Sequence, residues 1–134
     1  MMRVVGPAIA NYFSAHPDIA ADIGGPIDFT GATQCLHVYG DHGGFTFDPT
    51  GLGEYEVHAM FTEAGRGKWA NRAALETLAI MAARGATRIW ARVKTPQLAQ
   101  FTRKAGFSEI GSEMMEPGPA LHRIFEWRKP CHQQ

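Results

Sequence analysis

The chain has 134 residues, of which 45% are hydrophobic and 19% are charged, and its 13 Lys and Arg residues balance 13 Asp and Glu residues. We predict one domain over residues 1–134, because this length can bury a core of its own and the sequence contains no linker or repeat. The balanced charge argues against broad nucleic-acid binding, and the lack of a run of about 18 apolar residues argues against a membrane span.

Two short helices are the first predicted elements. Apolar residues fall at near-helical spacing between Pro7 and Ala15. Pro17 suits the first turn of a second helix, where its missing amide is not needed, and the Gly24-Gly25 pair suits the end of that helix. We therefore expect a pair of helices before the first strand.

Three strands should follow these helices. The segments "TQCLHVYG", "GFTFDP" and "EYEVHAMF" have strand-like patterns, and the turn sequences "GDHGG" and "PTGLG" separate them. This arrangement predicts an antiparallel meander. In the third segment, alternation places Tyr55, Val57, Ala59 and Phe61 on one face and Glu54, Glu56, His58 and Met60 on the other.

A basic turn that contains two glycines joins this strand to the longest predicted helix. In the turn, Gly65 and Gly67 alternate with Arg66 and Lys68. Gly85 should end the helix in a left-handed conformation. The helix has one apolar stripe for burial, made of Ala74, Leu75, Leu78, Met81 and Ala82.

The second half of the chain reads as a strand, a helix and two more strands. These are "TRIWARVK", "PQLAQFTRKAGF" with Leu98, Phe101 and Ala105 inward, "SEIGSEMMEPG" and "ALHRIFEWRK". A strand–helix–strand crossover is right-handed and makes its two strands parallel. The predicted fold class is therefore α+β, with a mixed, mostly antiparallel central sheet and helices on both faces.

The basic turn has two interpretations. A helix N-terminus has unpaired N–H groups and partial positive charge, so together with Arg66 and Lys68 it could bind a pyrophosphate. Alternatively, it is a solvated connection whose glycines serve geometry, since short glycine motifs match by chance. Taken by themselves, the residues leave both interpretations open.

The order of elements as a whole resembles the GNAT superfamily of N-acetyltransferases. "RGKWAN", Arg66 to Asn71, lies where that family has its acyl-CoA signature, and "LAQFTRKAGFSEIG" is similar to its second motif, a helix ending in Lys-x-Gly-Phe. The stretches "YFSAHPDIAADIGGPIDFTG", "YEVHAMF" and "GPALHRIFEW" resemble small GNAT-like proteins of phages and prophages in particular. The likeness covers nearly the full chain.

This resemblance implies that acetyl-CoA binds in a V-shaped cleft between the fourth and fifth strands of the fold. The pantetheine arm would lie along the exposed edge of the fourth strand, at Ala59, Met60 and Phe61. The pyrophosphate would lie on backbone amides at the start of the long helix, contributed by Arg66, Gly67, Lys68, Trp69, Ala70 and Asn71.

Several positions depart from the family pattern. Trp69 and Asn71 stand where glycines are usual, so the charges of Arg66 and Lys68 would matter more for phosphate binding. Thr102 stands where the family often has a tyrosine that protonates the departing thiolate, and threonine is a poor acid at neutral pH. These differences favour the alternative interpretation, a binding or phage accessory module that keeps the fold without catalysis.

Glu56 and His58 are the candidate general bases, because acetyl transfer needs a neutral amine and a group to take its proton. They lie two apart on one strand and share a face, and Glu54 is a third candidate. A bulge in the same strand could aim an N–H at the developing oxyanion. The alternative is that this polar face is structural, with His58 satisfied by a hydrogen bond.

No metal site is predicted. His37, His58 and His122 could meet across the sheet, but their spacing matches no ligand motif. Cys35 and Cys131 give no disulfide framework, which favours a reducing, cytoplasmic location.

We therefore predict an acetyl-CoA-dependent N-acetyltransferase that acts on a small or peptidic amine by direct transfer in a ternary complex. Acetyl-CoA is the predicted co-substrate, and neither nucleic acid nor membrane is an expected partner. Selectivity for the amine would come from a variable segment such as Gly24 to Gln34. Exposed edge strands would allow a homodimer.

Overall fold

A computed structural model describes residues 1–115 and 120–130, which form one sheet and four α-helices. Cys131 of the sequence analysis lies outside the described residues. The strands are β1 (Arg3–Val5), β2 (Leu36–Gly40), β3 (Gly43–Gly51), β4 (Glu54–Phe61), β5 (Arg88–Val93), β6 (Ser108–Met115) and β7 (Ala120–Arg128). The helices are α1 (Pro7–Ala15), α2 (Pro17–Ile23), α3 (Lys68–Ala83) and α4 (Pro96–Lys104), with a short 3-10 turn at Glu63–Gly65.

The strands lie in the order β1-β2-β3-β4-β5-β7-β6. β4 and β5 are parallel neighbours, joined by α3, and the other neighbouring pairs are antiparallel. The α+β fold class and the mixed sheet predicted from the sequence are confirmed. β1 was not predicted, because three residues are too few to show an alternating pattern.

Helices cover both faces of the sheet. On the rear face, α3 and α4 pack on alternate strand residues such as Val38, Phe47 and Phe125. On the front face, α1 and α2 form a smaller cluster with Tyr39 and Met60. Neighbouring residues of one strand thus contribute to cores on opposite faces, as the period-2 geometry of a strand requires.

The buried stripe of α3 differs from the predicted one at Leu75, whose relative exposure is 56%. Thr77 is buried instead, together with Ala70, Ala73, Ala74, Leu78 and Met81. The difference arises because small alanines let the helix lie close to the sheet, which shifts the contact stripe away from Leu75. Likewise, Leu98 of α4 is exposed while Ala99 is fully buried.

The ends of the helices follow the predicted residue chemistry. Pro7, Pro17 and Pro96 occupy first helical turns. Gly85 follows α3 with a φ of 102°, the left-handed conformation that its position predicts. Among the described residues, no helix is both long and apolar enough to cross a membrane.

Candidate active site

β4 and β5 separate from one another part-way along their length. They pair at Glu54 with Arg88, Tyr55 with Ile89 and Glu56 with Trp90. No further β4–β5 pair forms among the described residues, although β4 continues to Phe61 and β5 to Val93. The β5-facing edge of β4 is therefore left without a strand partner from Val57 onward.

A cleft of about 1040 Å³ opens where the two strands diverge. Its rear part lies against α3 and α4, where Thr77 and Phe101 are among the lining residues, and its front part lies against α2. The cleft therefore passes between the strands, from one face of the sheet to the other. Two ligands could approach the same point from opposite sides.

The β4 edge lines this cleft from Val57 to Phe61. Ala59 was predicted to lie at the exposed edge of this strand, and it is exposed, at a position beyond the last β4–β5 pair. The bulge that β4 could have offered to the oxyanion is not found in its pairing with β3. The β3–β4 register runs evenly from Gly43 with Phe61 to Pro49 with Tyr55, and the irregularity falls between Pro49 and Gly51 of β3.

The basic turn leads from the end of β4 to the start of α3, and its glycines have different roles. A Cβ on Gly65 would lie 2.7 Å from the Cβ of His42, so Gly65 permits a close contact between turn and hairpin. Gly67 has a φ of 89° and open space around its Cα. It caps α3, whose first hydrogen bond runs from the Asn71 N–H to the Gly67 carbonyl at 3.0 Å.

The residues on either side of the first free amides of α3 line a smaller pocket. Lys68, Trp69 and Ala70 come before the first intrahelical donor, so their N–H groups have no intrahelical acceptor. Gly67 and Asn71 line a pocket of about 220 Å³ together with Gln97, Gln100, Phe101 and Lys104 of α4. Lys104, the lysine of the Lys-x-Gly-Phe motif, was not predicted as a site residue but adds a cation opposite the turn.

Trp69 does not block the start of α3. Its ring packs edge-on against His42 at 5.2 Å and Phe61 at 6.0 Å between ring centroids. These contacts direct the indole toward the β2–β3 hairpin, and Trp69 is not among the described residues that line either cavity.

Arg66 connects the turn to α2. Its guanidinium donates to the Asp18 carbonyl at 3.1 Å and to the Asp22 carboxylate at 3.4 Å. The Glu63 N–H donates to the Asp18 carboxylate at 2.9 Å. Arg66 is therefore a structural tether of α2 as well as a cation at the cleft.

Glu56 and His58 share the front face of β4, as predicted, but differ in accessibility. The His58 side chain is 56% exposed and lines the cleft, whereas that of Glu56 is 9% exposed and does not. A Glu56 carboxylate oxygen accepts a hydrogen bond from Arg92 at 3.0 Å and lies 3.9 Å from His58 Nε2. Glu56 thus stands behind His58 with its charge compensated by Arg92.

A row of polar side chains continues from His58 across the sheet. His58 pairs in register with Thr46 of β3, which pairs with His37 of β2. The Thr46 hydroxyl is hydrogen bonded to His37 Nδ1 at 2.9 Å and to the Tyr39 hydroxyl at 2.8 Å. Burial lowers the pKa of His37 and raises that of Tyr39, so both side chains are neutral near pH 7.

Other predicted groups have structural partners. Glu54 pairs with Arg88 at 3.7 Å at the closed end of the strands. The Thr102 hydroxyl donates to the Leu98 carbonyl of its own helix at 2.6 Å. Among the described residues, no cluster of His, Cys, Asp and Glu side chains could hold a metal ion.

Comparison with known proteins identifies the fold. No protein-family model and no curated protein matches the sequence. An aminoglycoside 6'-N-acetyltransferase complexed with coenzyme A matches over 99% of each chain, with 12% identity and a TM-score of 0.77. Ribosomal-protein-S5-alanine acetyltransferase from Vibrio fischeri matches over 96% of this chain and 94% of its own, with 16% identity and a TM-score of 0.66. The chain has the GNAT acetyltransferase fold.

A third structure has the same GNAT fold. A variant of spermidine N-acetyltransferase from Vibrio cholerae matches over 96% of this chain and 94% of its own, with 10% identity and a TM-score of 0.70. At such identities the likeness extends to the fold and not to individual residues. The chemistry must therefore be argued from the side chains of this chain.

Seven of the predicted site residues line the large cleft, whereas Glu56, Lys68, Trp69 and Asn71 do not. The residues of the β4 edge, His58, Arg66, Gly67 and Ala70 all line the large cleft. Three further lining residues, Arg92, Asp22 and Lys104, were not predicted as site residues. They come from β5, α2 and α4, and no pattern along the chain shows that these elements meet at the cleft.

Proposed function

We propose that the chain is an acetyl-CoA-dependent N-acetyltransferase that passes the acetyl group directly to an amine in a ternary complex. The observation that carries the proposal is the unpaired edge of β4, which faces a through-going cleft and ends at the basic turn. An extended ligand with amide groups can pair with such an edge as an added strand would.

The chain offers suitable partners to each part of acetyl-CoA. The amides of Lys68, Trp69 and Ala70 and the cations Arg66 and Lys104 suit the phosphates. In the rear of the cleft, buried Thr77 Oγ1 has no hydrogen-bond partner among the described residues, and a polar group of the pantetheine arm could supply one.

His58 is the proposed general base. It takes the proton of the amine, whose nitrogen forms a bond to the thioester carbon while the carbon–sulfur bond breaks. Glu56 does not line the cleft, and its carboxylate, paired with Arg92 and 3.9 Å from His58 Nε2, fixes the polar surroundings of the imidazole. Because Thr102 donates to its own helix, the departing thiolate takes its proton from solvent.

The second candidate is a binding module without transfer. The engagement of Thr102 supports it, since the position that usually supplies an acid has a hydroxyl that is already bonded. Such a module would bind coenzyme A and acetyl-CoA equally well and would release no thiol when amines are added.

A thermal-shift measurement tests coenzyme binding. At a concentration of about a hundred times its dissociation constant, acetyl-CoA should stabilise the fold by roughly 2.7 kcal/mol. A thiol-release assay with a panel of amines then separates enzyme from module. If neither coenzyme A nor acetyl-CoA raises the melting temperature, both proposals fail.

We also propose a reducing location, a homodimer and a kinship with phage-type proteins. The half-buried free thiol of Cys35 suits a reducing compartment such as the cytoplasm. The edge strands β1 and β6 suit a homodimer. The likeness to small phage and prophage GNAT-like proteins rests on the quoted sequence stretches.

A further inference from the structure

The front part of the cleft has an apolar wall. It consists of Ile19, Ile23, Ile27, Phe29 and Met60, which all line the cleft and are called the front wall below. Ile19 and Met60 are buried, but Ile23 is 37% exposed and Ile27 is 44% exposed. Isoleucines gathered in a concave site and left open to solvent indicate an apolar ligand group.

Hydrogen bonds to α1 hold the front wall in place. The hydroxyl of Ser14, which is fully buried, accepts from the Ile27 N–H at 3.0 Å and donates to the Ile27 carbonyl at 2.7 Å. The side chain of Asn11 accepts from the Phe29 N–H at 2.6 Å. Both ends of the segment from Ile27 to Phe29 are thus anchored by hydrogen bonds. Ile27 is therefore exposed in an ordered segment and not because the chain is frayed.

The charges around the front wall do not suit a second cation. Of the described residues that line the cleft, Asp22 is the sole carboxylate, and it is paired with Arg66. Glu56 is buried and paired with Arg92. Arg92, also in the lining, is paired with Glu56 and Glu113, and Lys94 adds a positive charge, so a distant ammonium group of a diamine would find like charge and apolar surface.

We infer that the acceptor is a primary monoamine with an apolar substituent, which packs on the front wall while its nitrogen lies at His58. This inference rests on the proposed function, because acetyl-CoA in the rear of the cleft leaves the front to the amine. Polyamines and other polycationic acceptors are excluded by the same wall.

Hexylamine and cadaverine, a diamine of the same chain length, test the inference. They differ at the far end, where a methyl group replaces an ammonium group. The kcat/KM for acetylation of hexylamine should exceed that of cadaverine at least about tenfold, the effect of a single well-matched apolar contact. Titration of the isoleucine methyl signals by NMR should show the same preference in binding, with or without coenzyme A.

Substitutions in the wall sharpen the test. Ile27→Ala should lower kcat/KM for hexylamine about tenfold and leave that of ethylamine, which is too short to reach the wall, unchanged. Ile27→Asp should reverse the preference between hexylamine and cadaverine. Leu52→Asp is the matched control, since Leu52 is fully exposed in the β3–β4 turn and outside the cleft lining. Leu52→Asp should change neither the kcat/KM for hexylamine nor that for cadaverine.

The outcomes separate this inference from the proposed function. If acetyl-CoA does not bind, the proposed function fails, while the NMR titration still measures the preference of the front wall. If acetyl-CoA binds but cadaverine equals or surpasses hexylamine in both assays, the inference is overturned and the proposed function stands. The inference would also be overturned if Ile27→Asp and Leu52→Asp changed the preference between hexylamine and cadaverine equally.

Discussion

At the scale of single residues, His58 and Glu56 illustrate how position along one strand divides two roles. Both side chains point to the front of β4, yet His58 reaches the cleft and Glu56 is covered and bonded to Arg92. A base must reach the proton that it removes, so accessibility favours His58. In the proposed mechanism, Glu56 acts indirectly, through its contacts with Arg92 and His58.

The first residue-scale prediction compares the two substitutions. His58→Gln should lower kcat about a hundredfold or more, the usual contribution of a positioned base, and leave the thermal shift with acetyl-CoA unchanged. Glu56→Gln keeps the shape but loses the charge that Arg92 balances, so it should lower both stability and kcat, with a smaller effect on kcat than His58→Gln. The opposite ranking of the kcat values would make Glu56 the base.

The second residue-scale prediction concerns pH and His37. Burial lowers the pKa of His37 below its ordinary value of 6.5. As the pH falls through that value, the unfolded chain takes up a proton that the folded chain does not, so the free energy of unfolding decreases. His37→Asn should therefore reduce the slope of the free energy of unfolding against pH below about 6.5, by up to ~1.4 kcal/mol per pH unit.

Urea denaturation at a series of pH values provides the measurement. The slope of stability against pH is the useful quantity, because His37→Asn also changes packing and hence absolute stability. Parallel curves for the variant and the wild type would show that His37 is not responsible for the acid sensitivity.

At the scale of elements, the turn before α3 combines the proposed phosphate site with the anchoring of α2. Lys68 is exposed at the first position of α3, whereas Arg66 also tethers α2 through Asp18 and Asp22. Substitutions in this turn can therefore act in two ways, and a matched control is needed to separate them.

The element-scale prediction uses this difference. Lys68→Ala should reduce the thermal shift with acetyl-CoA without changing the melting temperature of the free protein. Arg66→Ala should reduce both, because it removes a proposed phosphate ligand and a tether, and the double substitution of Arg66 and Lys68 should abolish the shift. Asp22→Asn, the control, weakens an exposed pair worth at most about 1 kcal/mol and should leave the shift intact. If Asp22→Asn removes the shift as well, Arg66 acts only through α2.

Patterns within single elements predict most of the secondary structure. The alternation of "EYEVHAMF" gives β4 and the polar face with Glu56 and His58, and the proline and glycine positions give the ends of helices. Contacts between elements are harder to predict from the sequence. The exposure of Leu75 depends on how closely α3 approaches the sheet, and the exposure of Ala59 depends on where β5 leaves β4.

At the scale of the whole molecule, the order of elements predicts the parallel pair within an antiparallel sheet, and hence the fold. It does not predict which distant side chains meet. Arg92, Asp22 and Lys104 reach the cavities from three elements, and the ion pairs of Arg92 and Asp22 follow from tertiary packing that has no signature along the chain. The front wall is a similar case, since Ser14 and Asn11 fix it through bonds to a segment more than ten residues away.

The limited pairing of β4 with β5 also has a mechanical consequence. The sheet has two parts, one made of β1 to β4 and the other of β5, β6 and β7. Among the described residues, strand pairs join the two parts only at Glu54 to Glu56, and the strands lie apart beyond them. The hydrogen bond between Arg92 and Glu56 connects the two parts of the sheet next to the last β4–β5 pair, Glu56 with Trp90. Small rotations of one part against the other would change the width of the cleft without breaking a strand pair.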